Sequence, residues 1–258
     1  MASAARAAFV PHAASARSDV PRDRRTSRFD LSRCSHVLWD VDGTLADSTD
    51  LGFRCTNVVL RAGGLREISL EQYLEGTRHT TPRRLAWHAT GDADASCGIE
   101  LGAAFDATYV ELVSRETTGF YDGIESVVWR LRDRGRTQGV LSNACGAYAR
   151  AVVAVNGVEG LMRACYGADE VPAAKPAPDG LMKIMRELGV ESDPTRVCYI
   201  GDAPSDGAAA RAAGCVAVGC NWGSHDLRKA ENERNFDVVF DTVRELEAAL
   251  FFDDVERA

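Results

Sequence analysis

Two aspartates separated by one residue open the hexapeptide DVDGTL at residues 40–45, directly after the apolar run His36–Trp39. Where a buried strand ends in a turn, the first carboxylate can be aimed into a site and the second presented beside it. A carboxylate can attack a phosphoryl group if a divalent cation offsets the repulsion between like charges. We therefore interpret Asp40 as a candidate nucleophile. Asp42 would protonate the leaving oxygen and later deprotonate the attacking water.

Gly43 and Thr44 continue this turn and would let the backbone approach a phosphate closely, with N–H groups as donors. An Asp-Gly pair alone, after a strand, is an ordinary turn. The complete six-residue string after an apolar run favours the catalytic interpretation instead.

Later segments place further polar side chains at the ends of apolar runs or beside a proline. They are Ser142 and Asn143 after Gly139–Leu141, Lys175 before Pro176, Asp202 after Val197–Ile200, and Asp206 four residues later. Taken singly, each has an ordinary explanation as a turn residue, a solvated loop lysine or an acid near a helix dipole. The two late aspartates are spaced for one direct and one outer contact to a hard cation with oxygen ligands, which favours magnesium. Because ligands bind outside the carboxyl ends of parallel strands, we expect these side chains to converge on Asp40.

Apolar runs and helical patterns alternate along most of the chain. Leu181, Ile184, Met185 and Leu188 recur at helical spacing before Gly189, which predicts a helix that ends there. The candidate strands are His36–Trp39, Gly139–Leu141, Val197–Ile200, Cys215–Val218 and Phe236–Phe240. This alternation predicts an α/β fold, a Rossmann-like doubly wound parallel sheet with helices on both faces.

Residues 50–119 interrupt the alternation with an all-helical pattern. Ser69 and Gln72 fit a capping box, and Pro82 fits the first turn of a helix. We interpret residues 50–119 as a helical cap domain inserted into an α/β core formed by residues 34–49 and 120–258. Residues 1–33 are then a disordered tail or a transit peptide.

The composition excludes some classes of function. A formal net charge of -8 over 258 residues disfavours non-specific nucleic-acid binding. No apolar run approaches the ~18 residues that a membrane helix needs. Eight cysteines without a C-x-x-C pair predict buried, reduced thiols and no disulfide framework. The expected partner is a small phosphorylated metabolite, with no nucleic acid and no membrane, and the oligomeric state stays open.

The first 36 residues have a composition of their own, with seven Arg, three Asp and no acidic residue before Asp19. This Ala-, Ser- and Arg-rich segment resembles an organelle transit peptide, which predicts a chloroplast or a mitochondrion. A disordered tail without an address is equally compatible, and the protein would then be cytoplasmic.

In their order along the chain, the four polar segments resemble the motifs of the haloacid dehalogenase-like (HAD) superfamily, in its phosphatase branch. The matching strings are residues 39–48, Leu141–Asn143, Lys175–Asp179 and Gly201–Asp206, and the resemblance covers roughly residues 34–245. The position of the helical insertion, between the first and second motifs, resembles the C1 cap class. Asp42 argues against dehalogenation, because the dehalogenases proper lack an acid there.

The resemblance implies a role for each motif residue and Mg2+ as the cofactor. Ser142, with Asn143 beside it, would hold the phosphate, and Lys175 would neutralise the nucleophile and the phosphate. The direct metal ligands would be the Asp40 side chain, the Asp42 carbonyl and Asp202. Asp206 would act through water.

The substrate depends on the cap. Within residues 76–84, Arg78 and His79 are candidates for contact with a substrate carboxylate or hydroxyl, and the alternative is a basic helix start exposed to water. The motif set and the loop 219–223 resemble phosphoglycolate phosphatases, so 2-phosphoglycolate is the expected substrate. A phosphosugar mutase similar to beta-phosphoglucomutase, and a phosphatase of nucleotide or sugar phosphates or of pyrophosphate, are the alternatives. A non-catalytic binding module is disfavoured because no motif residue is lost.

Overall fold

The computed structural model describes residues 30–252, and its centre is a six-stranded sheet. The strands are β1 (His36–Trp39), β2 (Thr137–Leu141), β3 (Met162–Tyr166), β4 (Val197–Gly201), β5 (Val216–Cys220) and β6 (Val238–Phe240). Their order in the sheet is β3-β2-β1-β4-β5-β6, and every neighbouring pair is parallel. The predicted doubly wound parallel sheet is therefore confirmed.

Ten α-helices are described in residues 30–252. Five lie between β1 and β2, and the first four of these form an insertion: α1 (Thr49–Ala62), α2 (Leu70–Gly76), α3 (Thr81–Thr90) and α4 (Cys97–Glu111). The others are α5 (Ile124–Asp133), α6 (Gly146–Val155), α7 (Asp179–Glu187), α8 (Pro204–Ala212), α9 (Ala230–Glu233) and α10 (Val243–Leu250). Short 3-10 turns lie at Glu159–Leu161, Ala168–Glu170 and Pro194–Arg196.

The sheet is buried on both faces because alternate residues of each central strand enter two separate apolar clusters. In β1, Val37 and Trp39 pack into one cluster, with residues of α5, α6 and α10. Leu38 points to the opposite face and packs into the other cluster, with residues of α7 and α8. Burial on both sides explains why these strands are short, almost continuous apolar runs.

The structure contains one strand that the sequence pattern did not predict, β3. Met162 and Ala164 are buried, whereas Arg163 between them is exposed, and the register against β2 shifts at Gln138 and Gly139. An edge strand with one covered face carries too little apolar signal to be found alone.

Two helices of the insertion begin where the sequence predicts. The Ser69 and Gln72 side chains form a capping box at the start of α2, and Pro82 lies in the first turn of α3. The four helices occupy nearly the same stretch as the predicted cap, residues 50–119, although the division of the chain into domains stays a prediction. None of the helices in residues 30–252 combines the length and the apolar character needed to cross a membrane.

The sequence predicts that the core domain starts at residue 34, but the chain already packs against this domain at residue 31. Leu31 is buried, and its N–H donates to the Ala249 carbonyl over 3.0 Å. Residues 1–29, which hold most of the predicted tail or transit peptide, lie outside the described residues.

Candidate active site

The site lies where the strand order reverses, between β1 and β4. In doubly wound sheets this reversal leaves a crevice at the carboxyl ends of the strands. Asp40 follows β1 and Asp202 follows β4, and the Asp40 N–H donates to the Ile200 carbonyl over 2.9 Å. The two carboxylates thus come from neighbouring strands, and both residues are buried.

Lys175 connects the two sides of this crevice. Its Nζ lies 2.7 Å from Asp40 Oδ1 and 2.7 Å from Asp206 Oδ1. It also donates to the Tyr199 hydroxyl over 2.8 Å and to the Leu141 carbonyl over 3.3 Å. Because only 2% of the lysine side chain is exposed, this set of acceptors takes the place of water around its charge.

The electrostatics keep Lys175 charged. Burial alone would lower its pKa, but the nearby Asp206 and Asp40 carboxylates outweigh burial and raise it. Burial in turn raises the pKa of Asp40, and Lys175 is the group that opposes this effect. The nucleophile candidate therefore depends on the lysine for its ionised form.

Three carboxylates are close enough to hold a cation together. One oxygen each from Asp40, Asp202 and Asp206 lies within 4.8 Å of the others, and all three residues are buried. An all-oxygen donor set of this kind suits a hard divalent cation. Asp206 is fixed for such a role by its own helix start, because its Oδ2 accepts the Ala203 N–H over 2.9 Å.

The turn after β1 is held by backbone hydrogen bonds. The Val41 carbonyl accepts N–H groups from Thr44, Leu45 and Ala46 at 3.3, 3.0 and 2.9 Å. Gly43 has a φ of 75°, and a Cβ there would lie 2.3 Å from Asp202 Oδ2. Glycine is therefore required both for the backbone conformation and for the approach of Asp202.

Asp42 is held by three hydroxyl groups. Its Oδ1 accepts from Ser48 over 2.5 Å, from Tyr148 over 2.7 Å and from Tyr109 over 2.9 Å. The two tyrosine rings stack at 3.9 Å, although Tyr109 comes from α4 and Tyr148 from α6. The other carboxylate oxygen, Oδ2, has no hydrogen-bond donor among the described residues, which leaves it available for proton transfer.

The predicted phosphate-binding residues divide into two groups. Ser142 and Asn143 line the cleft with Lys175. Gly43 and Thr44 do not line it, and the Thr44 hydroxyl instead lies 3.5 Å from Cys220 Sγ. The turn contributes to the site mainly by placing the two aspartates.

Asn143 has a structural contact in addition to its place in the cleft. Its Nδ2 donates to the Lys175 carbonyl over 3.1 Å, and its Oδ1 accepts the Lys175 N–H over 3.0 Å. This reciprocal pair attaches the lysine loop to the end of β2.

The loop after β5 closes the crevice behind Asp202. Asp202 Oδ2 accepts the Ser224 N–H over 2.7 Å and lies 3.4 Å from His225 Nδ1. Burial lowers the pKa of His225, but the Asp202 carboxylate outweighs this effect and raises it. The Trp222 indole N–H donates to the Thr44 carbonyl over 3.1 Å, which ties this loop to the turn after β1.

Residues from two parts of the chain face each other across the cleft. We call the side formed by the strand ends and their loops the core wall: Asp40, Ser142, Lys175, Asp202 and Asp206. We call the side formed by α2, α3, α4 and their connections the insertion wall: Tyr73, His79, Arg84 and Phe105. Both sets of residues line the same cleft.

The two predicted substrate residues lie in different places. His79 lines the cleft, and burial together with the nearby Arg78 and Arg83 lowers its pKa. Arg78 is not among the lining residues; its guanidinium stacks 5.1 Å from the Trp87 ring centroid and its Nε donates to His79 Nε2 over 3.2 Å. The arginine that does line the cleft is Arg84.

The sequence reasoning did not find several residues that contact the site. Tyr199 had a usable signal, because a tyrosine inside a buried strand needs a hydrogen-bond partner for its hydroxyl. Tyr109 and Tyr148 had none, since they lie 67 and 106 residues from Asp42 and no spacing relates them to it. His225 received no functional role, and only the structure brings it to Asp202.

Comparisons with known proteins agree with this geometry. The family model described as haloacid dehalogenase-like hydrolase matches residues 37–220. A phosphoglycolate phosphatase from Xylella fastidiosa (strain 9a5c) is 33% identical over 192 residues, covering 74% of this chain and 82% of that protein. One from Rhodobacter capsulatus is 31% identical over 191 residues, covering 70% and 82%.

Solved structures share the fold. CbbY from Rhodobacter sphaeroides, in complex with phosphate, has a TM-score of 0.70 at 23% identity and covers 83% of this chain and 96% of that one. A hydrolase from Pseudomonas syringae has a TM-score of 0.68 at 18% identity and covers 85% and 98%.

The fold and the site define a hydrolase with a parallel α/β sheet and a carboxylate cluster at its switch point. The chain belongs to the haloacid dehalogenase-like hydrolase family. The predicted resemblance and the prediction of an enzyme in its phosphatase branch are confirmed.

Proposed function

We propose that this protein is a magnesium-dependent phosphomonoester hydrolase that acts through a phosphoryl intermediate on Asp40, with 2-phosphoglycolate as its substrate. The observation that carries the proposal is the buried contact of 2.7 Å between Asp40 and Lys175, with Asp202 and Asp206 beside it. A carboxylate held this way in a cleft is a charged nucleophile with its counter-charge already in place.

In the first half of the reaction, an Asp40 oxygen forms a bond to phosphorus as the bond to the ester oxygen breaks. Protonated Asp42 gives its proton to the leaving oxygen, and Oδ2 is the oxygen free for that transfer. In the second half, a water oxygen attacks phosphorus and Asp42 takes a proton from that water. The bond from Asp40 to phosphorus then breaks, which releases inorganic phosphate and restores both residues.

Lys175 and Ser142 bind the phosphoryl group in this scheme. The lysine ammonium lies beside Asp40 and can donate a hydrogen bond to a phosphate oxygen as the negative charge shifts during transfer. Asn143 keeps the lysine loop in place through its two backbone hydrogen bonds. Gly43 and Thr44 shape the turn that places Asp40 and Asp42, while their own N–H groups are bonded to the Ala46 and Val41 carbonyls within that turn.

The carboxylate cluster fits Mg2+, which Asp40, Asp202 and the Asp42 carbonyl would hold directly and Asp206 through water. When bound, such an ion supplies positive charge that reduces the repulsion between the carboxylate and the phosphate.

The substrate proposal rests on relatives and on the cleft. The curated relatives named above are phosphoglycolate phosphatases. The cleft has anion-binding groups on both walls, Lys175 on one and Arg84 on the other. 2-Phosphoglycolate carries an anionic group at each end.

The test is phosphate release from a panel of phosphorylated metabolites, with Mg2+ and with a chelator. We expect the highest kcat/KM for 2-phosphoglycolate and loss of turnover after metal removal that returns when Mg2+ is added. Conversion of a sugar phosphate to its isomer without phosphate release would indicate the mutase instead. Absence of phosphate release from every compound would contradict the proposal.

The location of the enzyme is proposed from composition alone. The Arg-rich and Ser-rich residues 1–33 would direct it to a chloroplast or a mitochondrion; without such a signal it would be cytoplasmic.

A further inference from the structure

Arg84 occupies an unusual position for a surface-helix arginine. It lies on α3, and its guanidinium carbon is 4.7 Å from the Phe105 ring centroid and 5.3 Å from the Tyr73 ring centroid. It lines the same cleft as Asp40 and Lys175, on the opposite wall. The two rings hold the guanidinium in place while they exclude part of its water.

The guanidinium of Arg84 forms no ion pair with a carboxylate of the described residues, although Asp106 is near enough to feel its charge. Within residues 30–252 no carboxylate forms an ion pair with it, and its buried Nε has no hydrogen-bond acceptor. The adjacent Arg83 differs from Arg84, because its guanidinium forms an ion pair with Asp94 on the surface. Buried donors are normally satisfied, so an unsatisfied one in a cleft indicates a missing acceptor.

The groups around Arg84 do not cancel its charge. Burial, assisted by Arg84, lowers the pKa of His88 to about 4, so this neighbour is neutral. Burial raises the pKa of Asp106 to about 6, and the charge of Arg84 opposes that rise; the two residues form no ion pair, and Asp106 does not line the cleft. The Tyr73 hydroxyl, which shares a hydrogen bond with Arg84, is neutral as well, since burial raises its pKa.

We propose that Arg84 binds the second anionic group of the substrate, a carboxylate at the end opposite the phosphate. A guanidinium offers a planar set of donors that matches a carboxylate in a bidentate way. The inference rests on the proposed function and narrows it: the substrate class is short phosphomonoesters that carry a carboxylate. Phosphomonoesters with a neutral end leave this cation without an acceptor.

The test compares substrates that differ only at that end. 2-Phosphoglycolate and 2-hydroxyethyl phosphate share a two-carbon skeleton, with a carboxylate in one and a hydroxyl in the other; p-nitrophenyl phosphate reports on the core wall alone. In the full-length protein with Mg2+, we expect Arg84→Met to lower kcat/KM for 2-phosphoglycolate by about 10- to 100-fold, as for loss of a charged hydrogen-bond pair. This decrease in kcat/KM should come mainly from a higher KM. The kcat/KM values for the other two substrates should be unchanged.

Arg83→Met is the matched control, since it removes the neighbouring arginine that already has a partner. It should leave the ratio of kcat/KM values for 2-phosphoglycolate and 2-hydroxyethyl phosphate unchanged. Arg84→Lys keeps the positive charge but lacks the planar guanidinium. It should therefore recover part of the preference for 2-phosphoglycolate over 2-hydroxyethyl phosphate that Arg84→Met loses. If Arg84→Met does not fold, Arg84→Lys alone carries the test, with a smaller loss that is still confined to 2-phosphoglycolate.

The outcomes separate this inference from the proposed function. An equal loss on all three substrates would show that Arg84 only supports the fold, and an unchanged substrate ratio would show that it does not bind the carboxylate. Either result overturns the inference while the phosphatase activity stands. Absence of turnover of all three substrates by the unmodified protein would overturn both.

Discussion

The two walls of the cleft differ in how their cations are paired. On the core wall, Lys175 is surrounded by the Asp40 and Asp206 carboxylates and by the Tyr199 hydroxyl, all within 2.8 Å. On the insertion wall, Arg84 stacks on two aromatic rings and has no carboxylate partner. One wall has its charges paired before any ligand arrives, and the other has a cation that forms no ion pair.

This difference separates chemistry from recognition. A reacting carboxylate must be ionised and fixed in advance, which requires compensation by groups of the protein itself. A binding cation gains more from a ligand if it has no competing partner in the free protein. The paired wall is therefore where we place the bond-making steps, and the unpaired wall is where we place substrate selection.

The largest effect should follow removal of the nucleophile from the paired wall. Asp40→Asn is expected to lower turnover by more than about 10⁴-fold, because the amide cannot take up the phosphoryl group. The fold should be retained, since one of three clustered carboxylates is neutralised. Phosphate release and circular dichroism test this, with the exposed Asp47→Asn as control. Near-normal turnover in Asp40→Asn would contradict the covalent mechanism.

Removing the cation of the core wall should destabilise the protein more than removing the cation of the insertion wall. Lys175→Met leaves Asp40 and Asp206 buried without a counter-charge, which should lower the free energy of unfolding by about 3–5 kcal/mol without divalent metal. Arg84→Met loses two ring contacts and a hydrogen bond to the Tyr73 hydroxyl but leaves no buried ion pair broken, so it should cost only about 1–2 kcal/mol. Denaturant unfolding with a chelator measures both. Equal losses would show that the charges on the two walls are not organised differently.

The walls meet at Asp42, where Tyr148 comes from the core side and Tyr109 from the insertion. Tyr148→Phe and Tyr109→Phe each remove one hydroxyl and should lower kcat for 2-phosphoglycolate about tenfold. The effect should be smaller for p-nitrophenyl phosphate, whose leaving group needs less protonation. Tyr166→Phe, which loses a bond to Glu187 away from the site, is the control. An unchanged kcat for 2-phosphoglycolate in both variants would mean that the tyrosines do not act through Asp42.

The smallest expected effect concerns Asp106, on the insertion near Arg84. Burial raises its pKa from 3.8 to about 6 in the folded protein, so the folded state keeps a proton that the unfolded chain releases. Stability should therefore fall as pH rises from about 4 to about 6, and the loss persists above that range.

Asp106→Asn removes this penalty. Allowing for partial exposure, the variant should be more stable than the unmodified protein by about 1 kcal/mol at pH 8 and equal to it near pH 4. Thermal or denaturant unfolding at both pH values measures the gap, with Asp50→Asn as a surface control. A gap that does not change with pH would contradict the assignment of the raised pKa.

The same contrast explains how much the sequence could predict. Asp40, Ser142, Lys175 and Asp202 stand at strand ends or in short motifs, and parallel topology alone brings strand ends to one edge of the sheet. Arg84 stands on a helix of the insertion, where nothing in the local pattern distinguishes it from Arg78 or Arg83. Only helix packing decides which of these arginines faces the cleft, and that packing depends on contacts between distant residues.

The fold shows the same division. Strand β1 was predicted with the bounds His36–Trp39 because a fully buried parallel strand is a continuous apolar run. Strand β3, at the edge of the sheet, was missed because only part of it is covered. The hydroxyls on Asp42 were also missed, since each contact joins elements far apart in the chain.

The most direct measurement is mass spectrometry of the protein after acid quench during turnover of p-nitrophenyl phosphate with Mg2+. The account predicts the mass of one phosphoryl group on the peptide that contains Asp40. It should be absent in Asp40→Asn and accumulate in Asp42→Asn, because the water that removes it then lacks its base. A phosphoryl group on another residue, such as Ser142, or none on any peptide during active turnover, would contradict the central claim.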